Sequence, residues 1–269
     1  AEQGHCEAQY SLGQKYTEDK SRHKDNEQAI FWLKKAALQG HTFASNALGW
    51  TLDRGEAPNY KEAVVWYQIA AESGMSYAQN NLGWMYRNGN GVAKDYALAF
   101  FWYKQAALQG HSDAQNNLAD LYEDGKGVAQ NKTLAAFWYL KSAQQGNRHA
   151  QFQIAWDYNA GEGVDQDYKQ AMYWYLKAAA QESVGAYVNI GYMYKHGQGV
   201  EKDYQAAFEW FTKAAECNDA TAWYNLAIMY HYGEGRPVDL RQALDLYRKV
   251  QSSGTRDVSQ EIRETEDLL

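Results

Sequence analysis

The sequence predicts an all-α solenoid of about seven helix-turn-helix repeats closed by a C-terminal capping helix, and three observations carry that prediction. One unit recurs at a nearly fixed period, each unit divides into two helical halves, and glycine far outnumbers proline, 22 to 2 in 269 residues. A period of about 20 to 50 residues is the mark of stacked repeats, because one helix pair cannot bury its apolar face alone.

The first half of each unit is helix A. Its origin is Ala8, Ala44, Ala78, Ala114, Ala150, Ala186 or Ala222, spaced by 36, 34, 36, 36, 36 and 36 residues. Leu or Ile follows four residues on, Gly or Ala five residues on, and Tyr eight residues on, as in Leu82, Gly83 and Tyr86. Leu52 replaces the tyrosine in the second unit. Offsets of four and eight lie on one helix face, so helix A is amphipathic.

Helix B fills the second half. Asp25, Asn59, Asp95, Asn131, Asp167, Asp203 and Asp239 stand just before it, where a carboxylate or amide caps the first free N–H groups. Alanines and Trp32, Trp66, Trp102, Trp138, Trp174 and Trp210, with Leu246 last, are expected on its inner face. Gly40, Gly74, Gly110, Gly146 and Gly254 stop it in the left-handed conformation. Glu182 and Asn218 hold that place in two units, and Glu182 is expected to be mildly strained. Residues 255 to 269 break the period and are expected to form a polar helix capping the open end.

The pattern A-x-x-x-L-G-x-x-Y-x-x-G-x-G-V, then D-Y-x-x-A-x-x-W-Y-x-K-A-A-x-x-G, resembles the Sel1-like repeat, a bacterial relative of the tetratricopeptide repeat. Residues 78 to 110 fit nearly throughout, and the likeness covers residues 1 to 254. The first unit departs most, since "EDKSRHKD" at 18 to 25 lacks both loop glycines; the second is two residues short and carries Pro58. The resemblance implies a right-handed α/α superhelix, a single domain over residues 1–254 with a capping helix over 255–269. The opening "AEQGH" matches "ALQGH" at 37 and 107, so residues 1–4 are expected to be the tail of a preceding repeat in a trimmed chain.

Composition narrows the function. A net charge of -7 argues against nucleic acid and anionic membranes, which call for basic patches. No stretch approaches the roughly 20 apolar residues of a membrane helix. Cys6 and Cys217 make neither a disulfide framework nor a metal spacing. A cytoplasmic location is therefore the expectation, with a periplasmic or secreted one open because a missing N-terminus could carry a signal.

Several motifs invite a chemical reading. "GNGV" at 89 suggests a phosphate loop, but "GKGV", "GEGV", "GQGV" and "GEGR" recur between helices A and B, so turns needing positive φ are expected. His5, His41 and His111 share one slot and point to a role at a helix start; His196 and His231 lack ligand spacing, and no metal or cofactor is expected. Nor does any spacing nominate a catalytic triad or dyad.

Trp50, Trp84 and Trp156 share a different slot, six residues after the origin, with Tyr192 in the same place. At about 100° per residue the core offsets span roughly 0 to 140°, whereas offset six falls near 240°. In tetratricopeptide-like repeats the helix A face opposite the core lines a concave groove, and the resemblance implies the same here. Phe43, Asn46, Arg54, Tyr77, Asn80, Arg87, Asn116, Phe152, Tyr224, His231 and Tyr232 fall on that face. It varies from unit to unit and is rich in aromatics, which suits a ligand. Aromatic packing that merely stiffens the stack is the plainer alternative.

The expected function is a non-enzymatic adaptor holding a protein or extended peptide, with a basic ligand residue opposite Asp120 and an acidic one near Arg54 or Arg87. Asn81, Asn117, Asn189 and Asn225 are expected to be mainly structural. One family branch is linked to β-lactam binding or hydrolysis, but it resembles a cysteine-rich form whose paired cysteines are absent here. A secreted host-interaction factor is the other alternative, with the same binding physics.

Overall fold

The computed structural model describes residues 5–18, 26–55 and 57–269, and among these there are fifteen helices and no strand. Contacts gather the chain into two compact units, Ala1–Ser142 and Ala143–Leu269. The first holds α1 (Cys6–Glu18), α2 (Asn26–Ala37), α3 (Thr42–Arg54), α4 (Tyr60–Glu72), α5 (Ser76–Asn88), α6 (Tyr96–Leu108), α7 (Ser112–Asp124) and all but the end of α8 (Lys132–Gln144). The second holds α9 (Arg148–Ala160), α10 (Tyr168–Ala179), α11 (Val184–His196), α12 (Tyr204–Glu216), α13 (Ala220–Tyr232), α14 (Leu240–Ser253) and α15 (Ser259–Asp267). Odd-numbered helices through α13 are the A helices, and even-numbered ones the B helices.

The caps form as the sequence requires. The side chains of Asn59, Asp95, Asn131, Asp167, Asp203 and Asp239 accept backbone N–H groups in the first turn of each B helix. Asp25 lies outside the described residues. At the start of the A helices, His41 Nδ1 accepts from the Ala44 N–H and His111 Nδ1 from the Ala114 N–H. Asn147 and Asp219 do the same job from the same slot. Each of these imidazoles must therefore be unprotonated at Nδ1. Gly40, Gly74, Gly110, Gly146 and Gly254 all take positive φ, and Glu182 and Asn218 follow at 61°. The loop pairs such as Gly89 and Gly91 are left-handed turns. Gly91 has a second duty: a Cβ there would run into the backbone of Tyr60 and Lys61, the first turn of α4.

Within unit 1, Ala44, Ala78, Ala114, Leu48, Leu82 and Leu118 are fully buried. Helix B departs from expectation. From the second repeat on, the ring at the centre is the residue after the tryptophan slot: Tyr67, Tyr103 and Tyr139 in unit 1, Tyr175, Phe211 and Tyr247 in unit 2, the last following Leu246, while Leu33 holds the place in the first repeat. Trp32, Trp66 and Trp174 stay buried, but Trp102, Trp138 and Trp210 are half-buried. Trp102 packs across the seam onto the core of the preceding repeats. A small residue stands five residues after the origin, Ala119, Ala155 and Ala227 in the repeats of Tyr139, Tyr175 and Tyr247, and glycine where the approach is closest. A Cβ on Gly83 would lie 2.7 Å from a ring carbon of Tyr103, and one on Gly49 2.8 Å from Tyr67. The missing side chain is the socket into which the tyrosine fits.

Polar rungs cross the apolar seams. In unit 1 the buried Gln79 donates to the Ala71 carbonyl at 3.2 Å and accepts from Gln109 at 2.8 Å. Gln115 donates to Ala107 in the same way. In unit 2 Gln151 donates to Ala143 and accepts from Gln181 at 2.8 Å. Tyr187 and Trp223 stand at this position in the last two repeats.

The final helix corrects the sequence reading. The period does not break at 255: Val258 lies 36 residues after Ala222, is fully buried, and joins Tyr247 and Val250 in one cluster. Ile262 packs on that cluster and Thr265 is buried. Helix α15 thus keeps the buried positions of an eighth helix A beneath a polar surface.

Candidate partner-binding face

In unit 1 the A helices α3, α5 and α7 are stitched together on the side turned away from the core tyrosines. Asn81 donates to Asn46 at 3.2 Å, and Asn117 donates to Asn80 at 3.0 Å. Asn46 and Asn80 are thus acceptors from the next repeat, and Asn116 is buried. Above these rungs stand large aromatics. Phe43 is 58% exposed, Trp50 42%, Tyr77 62% and Trp84 42%. Each pair is seven residues apart on one helix, and the two pairs occupy the same slots of adjacent repeats. Residues seven apart share a helix face.

Trp50 lies between two concavities. One of about 240 Å³ runs past Tyr10, Gln14, Phe43, Asn46 and Met75. The other, about 970 Å³, is bordered by Asn26, Glu27, Ile30, Leu52, Arg54 and Ala57. Thr17, Trp50 and Thr51 belong to both.

The charged residues divide sharply. Arg87 donates from Nη1 to Asp120 at 3.0 Å and to Asn117 at 3.4 Å, and Tyr139 donates its hydroxyl to Asp120 at 2.9 Å. Burial works against the Arg87 charge, yet Asp120 holds its pKa above the ordinary value. Tyr139 is pushed up by burial and by the negative charges of Asp120 and Glu123. The two groups expected to meet opposite charges on a ligand therefore meet each other.

Arg54 differs. Its side chain is 67% exposed, its Nε faces Asp53 at 3.5 Å, and its guanidinium carbon is 5.7 Å from the Trp50 ring centre. Asp53 is held from below, accepting the Tyr67 hydroxyl at 2.7 Å. Burial pushes the Asp53 carboxyl up, against the pull of Tyr67 and Arg54. Sequence reasoning missed Asp53. Its position beside Arg54, opposite a tyrosine of helix B, was the available signal.

In unit 2 most of the sequence-nominated residues sit closer to the chain itself, although Tyr232 is 66% exposed. Trp156 is half-buried. Phe152 packs against Tyr175 at 5.7 Å between ring centres, in space left by Gly185. Tyr192 stacks on His196 and accepts from Asn225 at 2.9 Å. Tyr224 donates to Glu261 of α15 at 3.3 Å and carries Arg256 3.8 Å over its ring. His231 reaches Thr265 at 3.1 Å, so the two histidines turn to different partners.

A face of this kind can hold a chain by stacking and by fixed amide dipoles. No helix among the described residues is long and apolar enough to cross a membrane.

Comparison with known proteins completes the description. The Sel1 repeat model matches residues 6–41, 42–75, 76–111, 112–147, 148–183, 184–219 and 220–249. A protective antigen of uropathogenic Escherichia coli strains, displaying an SLR fold, is 36% identical over 94% of this chain, with a TM-score of 0.87. The chain spans 55% of that antigen's length. A Sel1 repeat protein from Oxalobacter formigenes is 32% identical over 80% of this chain and 86% of its own, with a TM-score of 0.73.

Proposed function

The chain belongs to the Sel1 repeat family, and from that premise we propose that unit 1 is a peptide-binding module of a non-enzymatic scaffold. Proteins of this family generally serve as protein–protein interaction scaffolds. The single observation that carries the finer reading is the quartet Phe43, Trp50, Tyr77 and Trp84, held exposed in matching slots of adjacent repeats. Each such ring offers about 150 to 250 Å² of contact area, and stiff aromatics lose little freedom on binding. The asparagine rungs between them fix the spacing of the rings and leave further amide lone pairs for a ligand backbone. An extended segment with apolar side chains suits this face.

The test is display of random 12-residue peptides on immobilised protein. Trp50→Ala with Trp84→Ala is expected to lower retained peptide about tenfold, while circular dichroism stays helical because neither ring is core. Undiminished capture sinks the reading. The E. coli relative is described as a protective antigen, which supports a host-facing variant of the same role; the binding physics is unchanged.

A further inference from the structure

We propose that the corner formed by Trp50 and Arg54 selects peptides carrying an Asp or Glu side chain next to an apolar residue. This rests on the peptide-binding reading above and adds its charge preference.

The two arginines of this face have different fates. Arg87 is consumed by Asp120. Arg54 makes one ion pair, at Nε with Asp53, and no hydrogen bond from its terminal nitrogens to a described residue. A guanidinium binds a carboxylate best through two parallel N–H groups, and this is the pair that Arg54 keeps. Asp53 is itself secured by Tyr67, so it orients the guanidinium without sealing the outer edge. The indole of Trp50 flanks the same group, limiting its wandering and presenting an apolar surface beside it.

The surroundings match one kind of occupant. The larger concavity mixes apolar walls, Ile30, Leu52 and Ala57, with Arg54 at its border. Among the described residues that line it the carboxylate is Glu27, which disfavours a dense acidic run and fits a single acidic residue among apolar ones. The concavity continues past Trp50 toward Phe43, so the bound chain passes the corner on both sides, and its carboxylate comes from a side chain.

The experiment is selection from C-terminally amidated random 12-residue peptides on wild-type protein, Arg54→Gln and Arg54→Glu. Wild type is expected to enrich Asp or Glu adjacent to an aliphatic or aromatic residue. Arg54→Gln should weaken binding of those peptides about tenfold and leave the apolar preference intact. Arg54→Glu should reverse the preference to Lys or Arg. Peptides retained without acidic enrichment, or binding that requires a free C-terminal carboxylate, overturn the charge preference and leave the groove reading standing. No retention by wild type overturns both. Equal melting temperatures for the three proteins confirm that the exposed Arg54 acts on the ligand rather than on the fold.

Discussion

The Arg87–Asp120 pair should show strong energetic coupling, and its size follows from the geometry. Asp120 accepts hydrogen bonds from Arg87 at 3.0 Å and Tyr139 at 2.9 Å, with side-chain exposures of 29% for Arg87 and 17% for Asp120. Charge-assisted bonds of this kind contribute about 1.5 to 3 kcal/mol each before screening, and partial exposure trims the ionic one. Asp120→Ala also strands a half-buried guanidinium, so its cost should be about 3 kcal/mol. Arg87→Ala loses the bond to Asp120 and the longer one to Asn117 and should cost about 2 kcal/mol. The double variant has no stranded charge and should cost about 3.5 kcal/mol, leaving a coupling of about 1.5 kcal/mol. A stack of repeats need not unfold all at once, so the readout is native-state hydrogen exchange of α5 and α7. A coupling below about 0.3 kcal/mol would refute the view that this pair belongs to the scaffold.

Three further outcomes are expected. His111 is depressed by burial from its ordinary value of 6.5, and its Nδ1 must stay unprotonated to cap α7. Its contribution is therefore complete above 6.5 and lost as pH falls through the lower folded value. His111→Asn, copying Asn147, should keep the cap and flatten the urea midpoint between acid and neutral pH; parallel curves for the two proteins count against the cap argument. Glu182→Gly should stabilise by about 0.5 to 1 kcal/mol, because a side chain at φ 61° is strained, and a lowered melting temperature contradicts this. Val258→Asp should cost about 3 kcal/mol by placing a charge at a fully buried site, with faster exchange confined to α13 through α15; faster exchange throughout unit 2 would argue against nearest-neighbour stability.

Much of the fold was legible because repetition supplies its own controls. Seven aligned copies identify origins, caps and turn glycines without recourse to tertiary contacts, and even the exceptions at Glu182 and Asn218 behave as their slot demands. The core of helix B was misread because Phe101, Trp102 and Tyr103 are consecutive aromatics, and size alone favours the tryptophan. In that repeat Gly83 on the facing helix leaves the room that Tyr103 fills, a partner relation that periodicity does not encode. Helix α15 forms where a final polar helix was expected, but the period continues into it, because beneath its polar composition Val258, Ile262 and Thr265 keep the spacing. The candidate face was legible in its aromatics, whose angle about helix A separates them from the core. Its charges were not. Arg87 and Asp120 come from different repeats, and only stacking shows that they neutralise each other while Arg54 remains outward.

The buried glutamine rungs bear on how near-identical repeats find their proper order. A chain of look-alike units risks stacking on the wrong neighbour during folding, the typical failure of repeat proteins. Gln79 and Gln115 each add an amide donor to a carbonyl at the end of the preceding helix B, which also accepts the backbone N–H of Gly74 or Gly110. Tyr187 and Trp223 bring a ring to that position instead. Were one of the last two repeats to dock against α4, the Ala71 carbonyl would lose its glutamine donor and keep only its backbone ones. Were Gln79 to dock where a ring belongs, its amide would enter an apolar seam. The second error costs about 1 to 3 kcal/mol for a stranded amide and the first about 0.5 to 1.5 kcal/mol for a lost bond, wherever a glutamine-bearing unit and a ring-bearing unit change places. The rungs therefore work as mating keys that discriminate among units otherwise alike enough to be exchanged.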